Sequence, residues 1–258
     1  MLRSTFLHLS GIGPATEAAL WRQGLRDWKE LASPTGSGVR EATLNRELAA
    51  SEAALSERRV EWFAQRLPPA ESWRLYPEFQ PETAFLDIET TSLSPYEGIV
   101  TVVTVHGGGA TRTFVADDDL EELPAYLRRF GVLVTFNGLR FDVPFLRVRF
   151  PELRVPPSHI DLRFLLYRVG YSGGLKRIEQ TLGLGTRAGV EGIDGLEAVR
   201  LWAEHRRGRD GALERLVRYN RADTINLEPL LDFATRELGR RLLPPISRGR
   251  TAPLSPGP

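Results

Sequence analysis

Residues 84–90 read AFLDIET, and the fold turns on this stretch. It is a short apolar run that ends in acids, the pattern of a strand leaving a core. Strand geometry has a period of two, so Asp87 and Glu89 point to the same face. Two carboxylates side by side at a sheet's rim repel each other. A divalent cation relieves that repulsion, and Mg²⁺ favours oxygen ligands of this kind. The plainer alternative is a pair of exposed acids at a strand end.

Working outward, IVTVVTVHGG (99–108) is rich in β-branched residues and TRTFVA (111–116) is a third candidate strand. DDDLEELPAYLRRF (117–130) predicts a helix with an acidic start, and VLVTFN (132–137) another strand. Hairpin-like strands followed by a helix and a strand imply an α/β fold, a mixed β-sheet flanked by helices. From residue 141 the pattern turns helical. FDVPFLRVRF, LRFLLYRV, LKRIEQTLG, GLEAVRLWAEHRRG and GALERLVRYNRADTINLEPLLDFATREL all carry helical spacing, and HIDL is one more short strand.

Upstream, residues 1–80 form a small all-helical region. PATEAALWRQG and EATLNRELAASEAALSERRVEWFAQRL read as helices, with the loop SPTGSG between them. Pro68 and Pro69 end the second, and PPAESWRLYPEFQPE reads as a linker. The expected division is 1–80 helical, 81–240 catalytic, and 241–258 a disordered Pro/Gly-rich tail.

Of the 258 residues, 41% are hydrophobic and 26% charged, an ordinary balance for a globular chain with a sizeable core. No run is apolar enough to span a membrane, and the N-terminus lacks a signal-peptide pattern, so a cytoplasmic location is the default. Without any cysteine, disulfides and thiolate metal sites are excluded. Net charge is +1, so the chain as a whole is no polycation. Residues 200–221 nevertheless hold seven Arg against three acids, a surface that faces phosphate or simply water.

Two further segments carry acids. Asp142 follows VLVTFNGLRF and stands at the start of a helix, with Asn137 five residues before it. Taken singly, Asp142 reads equally as a helix N-cap and Asn137 as a turn residue. Tyr219 and Asp223 lie four apart on one helical face. An Asp in mid-helix is a poor helix former, though pairing with Arg218 or Arg221 also explains it.

The three segments FLDIETTSL, FNGLRFDVPFL and YNRADTINL together resemble the DEDD exonuclease superfamily in its tyrosine subgroup, which has an RNase H-like fold. The likeness is closest to YprB-type ribonuclease H-like domains and covers roughly residues 82–235. The subgroup with a catalytic His would place it at Arg218, so Tyr219 fills the role. The resemblance implies a 3′→5′ exonuclease acting on single-stranded nucleic acid or its 3′ ends. It implies two Mg²⁺ or Mn²⁺ ions about 3.5–4 Å apart. Asp87 would bridge both; Glu89 and Asp223 would hold the water-activating ion; Asp142 would hold the other. Tyr219 would orient the water, because a phenol of ordinary pKa is a poor base at neutral pH.

Asn137 is expected to contact substrate or brace the site. Lys176, opening a helix after Ser172-Gly173-Gly174, is a candidate phosphate contact, with a plain capped helix start as its alternative. LSGIGPATEAAL resembles a helix-hairpin-helix motif, in which Gly11 and Gly13 expose backbone amides to a phosphate. That element leans the substrate from RNA toward DNA. Two other readings stand beside the exonuclease: an inactive nucleic-acid-binding module of the same fold, and a structure-selective endonuclease.

Overall fold

The computed structural model of the protein describes residues 1–32, 39–190 and 192–243. The loop expected at 33–38 and most of the expected tail lie outside the described residues. The N-terminal part holds α1 (Pro14–Arg22), α2 (Trp28–Leu31), α3 (Val39–Ser56) and α4 (Val60–Ala64). Then come β1 (Thr83–Thr90), β2 (Val100–Gly107), β3 (Ala110–Val115), α5 (Leu123–Leu127), β4 (Val132–Thr135), α6 (Asp142–Arg149) and β5 (Ser158–Asp161). The chain continues through α7 (Leu162–Arg168), α8 (Leu175–Leu182), α9 (Gly195–Arg206), α10 (Ala212–Ile225) and α11 (Leu227–Leu242).

Among the described residues the strands form one five-stranded sheet in the order β3-β2-β1-β4-β5. The β1–β2 and β2–β3 pairs are antiparallel, and β1–β4 and β4–β5 are parallel. The mixed sheet expected from sequence is therefore present, with β1 at its centre. Its alternation sorts two cores. Ala84, Leu86 and Ile88 pack with Val103, Leu133, Phe145 and Leu146 on one face. Phe85 packs on the other with Val134, Ile160, Leu227 and Leu231. Asp87 and Glu89 share Phe85's face, and α10 packs against β1 and β2 there. The ladder shifts register between Glu89 and Thr90, where Thr101 of β2 is the extra residue, so the bulge lies opposite the acidic end of β1.

Three expectations need correction. The run 41–67 is not one helix: it breaks at 57–59, where Arg58 takes φ 54°. Arg58 bonds Glu82 and donates to the Glu78 carbonyl at 2.8 Å, so tertiary bonds select the turn over the helix. The helix expected over 117–130 begins later, with a 3₁₀ turn at Leu120–Glu122 that runs into α5, and the acids 117–119 stand before it. Asp117 is left-handed (φ 65°), and Asp119 instead accepts the Val115 amide at 2.9 Å. Finally, 68–82 is no slack linker. It forms tight 3₁₀ turns at Pro69–Leu75 and Gln80–Glu82, with Trp73, Leu75, Tyr76 and Phe79 buried.

This strap ties the parts together. The Tyr76 hydroxyl donates to Asp232 of α11 at 2.9 Å, and Pro69–Leu75 lies against β5, the outermost strand. Arg74 donates to both Glu17 oxygens, at 2.9 and 2.8 Å, with both side chains buried. One core cluster runs from Leu2 through Trp28 and Phe63 to Val134, Ile160 and Leu231. No helix among the described residues is long and apolar enough to cross a membrane.

Candidate active site

The acidic end of β1, the start of α6 and the middle of α10 meet. Carboxylate oxygens of Asp87, Glu89 and Asp223 lie within 4.8 Å of one another. Asp142 is the first residue of α6 and is buried, as the turn Asn137–Phe141 folds back under it. The N-cap position is Phe141, and the Asp142 carboxyl accepts its own amide and that of Ile88. It stands beside the trio, close enough for its charge to act on Asp87 and Glu89. Tyr219 and Asp223 share a face of α10 with buried Leu216 and Asn220, as the spacing of four requires.

Crowding like charges in a desolvated rim has a direct electrostatic effect. Burial, then the charges of Asp142, Asp223 and Glu89, holds the Asp87 carboxyl well above the ordinary carboxylate range. Burial and the Asp223 charge push Glu89 up to about 8. Asp142 rises to about 7, chiefly through burial. Burial and the neighbouring carboxylates likewise raise the Tyr219 phenol, which donates to Asp223. Oxygen donors, net negative charge and mutual repulsion suit a hard divalent cation such as Mg²⁺ or Mn²⁺, so Asp87, Glu89 and Asp223 fit such an ion.

A pH dependence follows. Acids with raised folded pKa values hold protons that the unfolded chain has already released. Stability must therefore fall as pH rises from the ordinary carboxylate range through about 8, where Glu89 releases its proton. Melting curves in EDTA from about pH 5 to about pH 8 should show this fall. Mg²⁺ should flatten it, because the ion competes with those protons. A profile that is the same with and without Mg²⁺ would count against the cluster as a cation site.

Three residues missed in the sequence complete the site. Asn220 donates to Asp87 Oδ2 at 2.8 Å. Arg187 bonds Asp223 and donates to Glu179 at 2.8 Å. Glu179 is buried, and it also receives Asn226 Nδ2 at 3.2 Å. Gly185 positions Arg187's loop: it is left-handed (φ +83°), and a Cβ there would meet the Asn226 side chain at 2.7 Å. The sequence signal for Asn220 was its place three residues before Asp223. Arg187 gave none, since a loop has no period, and Glu179 of α8 read as an ordinary helix acid.

The remaining candidates fall in three places. Lys176 lies over the Tyr219 ring, 4.6 Å from its centroid, and bonds the Ile193 carbonyl. It lines a cleft of about 630 Å³ with Glu179, Arg187 and Asp194. Asn137 is left-handed (φ 66°); its Oδ1 accepts Arg163 at 2.8 Å, and its amide donates to Asp161 at 2.8 Å. It braces the turn that carries Asp142. Gly11 and Gly13 stand in the turn before α1, outside this constellation. The amide and hydroxyl of neighbouring Ser10 are both taken by Glu47 of α3. The segment before that turn is only a 3₁₀ turn, Leu2–Ser4.

In fold the chain is similar to a family B DNA polymerase from the archaeon Pyrobaculum calidifontis, at 21% identity and a TM-score of 0.47. That match covers 60% of this chain but 25% of the polymerase, so the chain spans about a quarter of it. It is similar to a nuclease in its apo form, at 19% identity over 67% of this chain and 79% of that one, with a TM-score of 0.44. Brucella melitensis NrnC with bound Mg²⁺ matches at 18% identity, over 64% of this chain and 78% of that one, with a TM-score of 0.41. No curated protein sequence matches. The RNase_H_2 family model, of the RNase_H superfamily, matches residues 84–235, from the first residues of β1 into α11. That span is more than half of the chain and holds all four carboxylates, and the chain belongs to the RNase_H superfamily.

Proposed function

We propose that the protein is a metal-dependent 3′→5′ exonuclease of single-stranded nucleic acid, of the tyrosine subgroup of DEDD enzymes. The observation that carries this is the meeting of four carboxylates from β1, α6 and α10 with Tyr219. A pair of divalent ions held there would supply a nucleophilic water and charge neutralisation at the scissile phosphate. Asp87, Glu89 and Asp223 would hold the ions, with Asp142 supporting from its buried place beside them. Tyr219 keeps its proton, since its surroundings raise it, and its hydroxyl orients the attacking water by hydrogen bonding. Lys176 and Arg187 offset negative charge on the open side and face the cleft where a phosphodiester would lie. Gly11 and Gly13 remain candidate backbone contacts, favouring DNA over RNA.

One observation favours the alternative of an inactive binding module. Arg187 already neutralises Asp223, so part of the cluster is satisfied without a cation. The two readings separate in one assay. Oligonucleotides of DNA and RNA labelled at the 5′ end are incubated with Mg²⁺, Mn²⁺ or EDTA. The exonuclease reading expects a ladder shortening from the 3′ end that needs metal. Tyr219→Phe should slow it by roughly 10²-fold, within the range for a group positioning a proton or nucleophile, while Mn²⁺ affinity by calorimetry stays unchanged. Internal cuts would favour an endonuclease, and intact substrate in every lane the binding module.

A further inference from the structure

Beside the acidic cluster lies a second surface that the chemistry above does not use. Phe164 and Tyr167 of α7 are 44% and 72% exposed. They are three positions apart and so share one helix face. With Arg140, Arg163, Ser172 and Gly173 they line a cavity of about 350 Å³. The Arg140 guanidinium stands 5.7 Å from the centroid of the Phe164 ring. Arg163 bonds the Asn137 side-chain oxygen. Among the described residues neither guanidinium pairs with a carboxylate, and no acid lines the cavity.

The position of this face is as telling as its chemistry. The loop that carries Arg140 delivers Asp142 to the cluster two residues later. Ser172 and Gly173 lead into α8, whose Lys176 covers Tyr219. The face therefore lies between the two segments that border the cluster on this side. Exposed rings beside uncompensated cations suit a polyanion with flat apolar faces.

We propose that the Phe164–Tyr167 face, with Arg140 and Arg163, is a stacking track for single-stranded nucleic acid upstream of its reacting end. The rings take base faces and the guanidiniums take backbone phosphates. The inference rests on the nuclease reading for the strand's direction, but no atom of the acidic cluster takes part in the track.

The test is fluorescence anisotropy in EDTA with labelled oligo-dT of three and of twelve nucleotides. The wild-type chain should bind the 12-mer more tightly. Tyr167→Ala and Phe164→Ala should each weaken 12-mer binding about tenfold, within the range for one base stack, and remove the length advantage. Tyr167→Phe, which keeps the ring, should bind like wild type. Arg140→Gln should make the salt dependence of binding shallower by about 0.7 in log–log slope, as for one lost phosphate contact on a single strand. Unchanged 12-mer affinity in both alanine variants overturns the proposal, as does no 12-mer binding by wild type at low salt. A dimer in sedimentation that Phe164→Ala dissolves, with oligonucleotide affinity intact, overturns it in favour of a second copy. A chain that binds through this face yet cuts nothing sinks the nuclease reading alone. One that cuts but binds equally well after Tyr167→Ala sinks this inference alone.

Discussion

Replacing Asp87 with Asn is expected to abolish metal-dependent cleavage, by about a thousandfold or more, and yet to raise the melting temperature of the metal-free protein. The loss of rate corresponds to about 4 kcal/mol of barrier at 1.36 kcal/mol per tenfold. It follows if Asp87 is the central ligand, as its place in the trio proposes. The gain in stability comes from the same charge. In the metal-free fold Asp87 must either take up a proton that the unfolded chain has released or, once ionised, face a repulsion of about 3 kcal/mol from each unit charge about 5 Å away at an effective dielectric of 20. Asp87 sits within 4.8 Å of two such neighbours. Arg187 offsets part of this, so a net relief of about 1–2 kcal/mol, or about 3–6 °C, is a reasonable size for a chain of this length. Asn matches Asp in shape, and its oxygen can still accept the bond from Asn220. The check is labelled-oligonucleotide hydrolysis beside thermal melts in EDTA and in Mg²⁺. Unimpaired cleavage by the variant would refute the assignment. A lower melting temperature would show that the Asn220 bond outweighs the repulsion.

The second large effect concerns stability far from the cluster. Arg74→Met should lower the unfolding free energy by about 3–5 kcal/mol, the usual cost of stranding one partner of a buried ion pair. Arg74 and Glu17 are 3% and 1% exposed, and Arg74 also donates to Glu71 at 2.6 Å. Without the guanidinium, Glu17 keeps the backbone amides of Phe6, at 2.7 Å, and Leu7, which do not neutralise its charge. Burial already raises the Glu17 carboxyl despite Arg74. The variant should therefore regain stability as pH falls, because its folded state takes up a proton before the unfolded chain does. Exchanging both residues, Glu17→Leu with Arg74→Met, should recover most of the loss, since no charge is then stranded. Urea unfolding followed by tryptophan fluorescence reads all three proteins. Trp21 and Trp73 flank Arg74 at 5.6 and 5.7 Å. Equal stability of the Arg74→Met and double variants would refute this account.

Much of this was legible in the sequence because it repeats with a period. The alternation in AFLDIET placed Asp87 and Glu89 on one face, and the two packed cores keep that sorting. The four-residue spacing of Tyr219 and Asp223 survived in α10. Features set by tertiary bonds were not legible. Nothing in SERRV signals a break, since the left-handed Arg58 is held by Glu82, distant in sequence. The run GALERLVRYNRADTINLEPLLDFATREL hides a second break, at Asn226, whose side chain accepts the Thr186 amide at 3.0 Å. The strap did carry a signal beneath its prolines. Trp73, Tyr76 and Phe79 recur every three residues, a spacing that keeps one face buried through the 3₁₀ turn Pro69–Leu75 and the bends after it. Arg187 acts across a loop, where no spacing rule applies.

The placement of the strap against β5 has a consequence for how the chain divides. Family likeness begins at residue 84, but the segment lying along the sheet's last strand comes from residues 69–75. Outer strands left bare are templates for association with other copies. A fragment cut where the likeness starts would keep every carboxylate and lose the cover of β5. The boundary of kinship is thus not the boundary of the smallest piece that keeps this edge of the sheet covered.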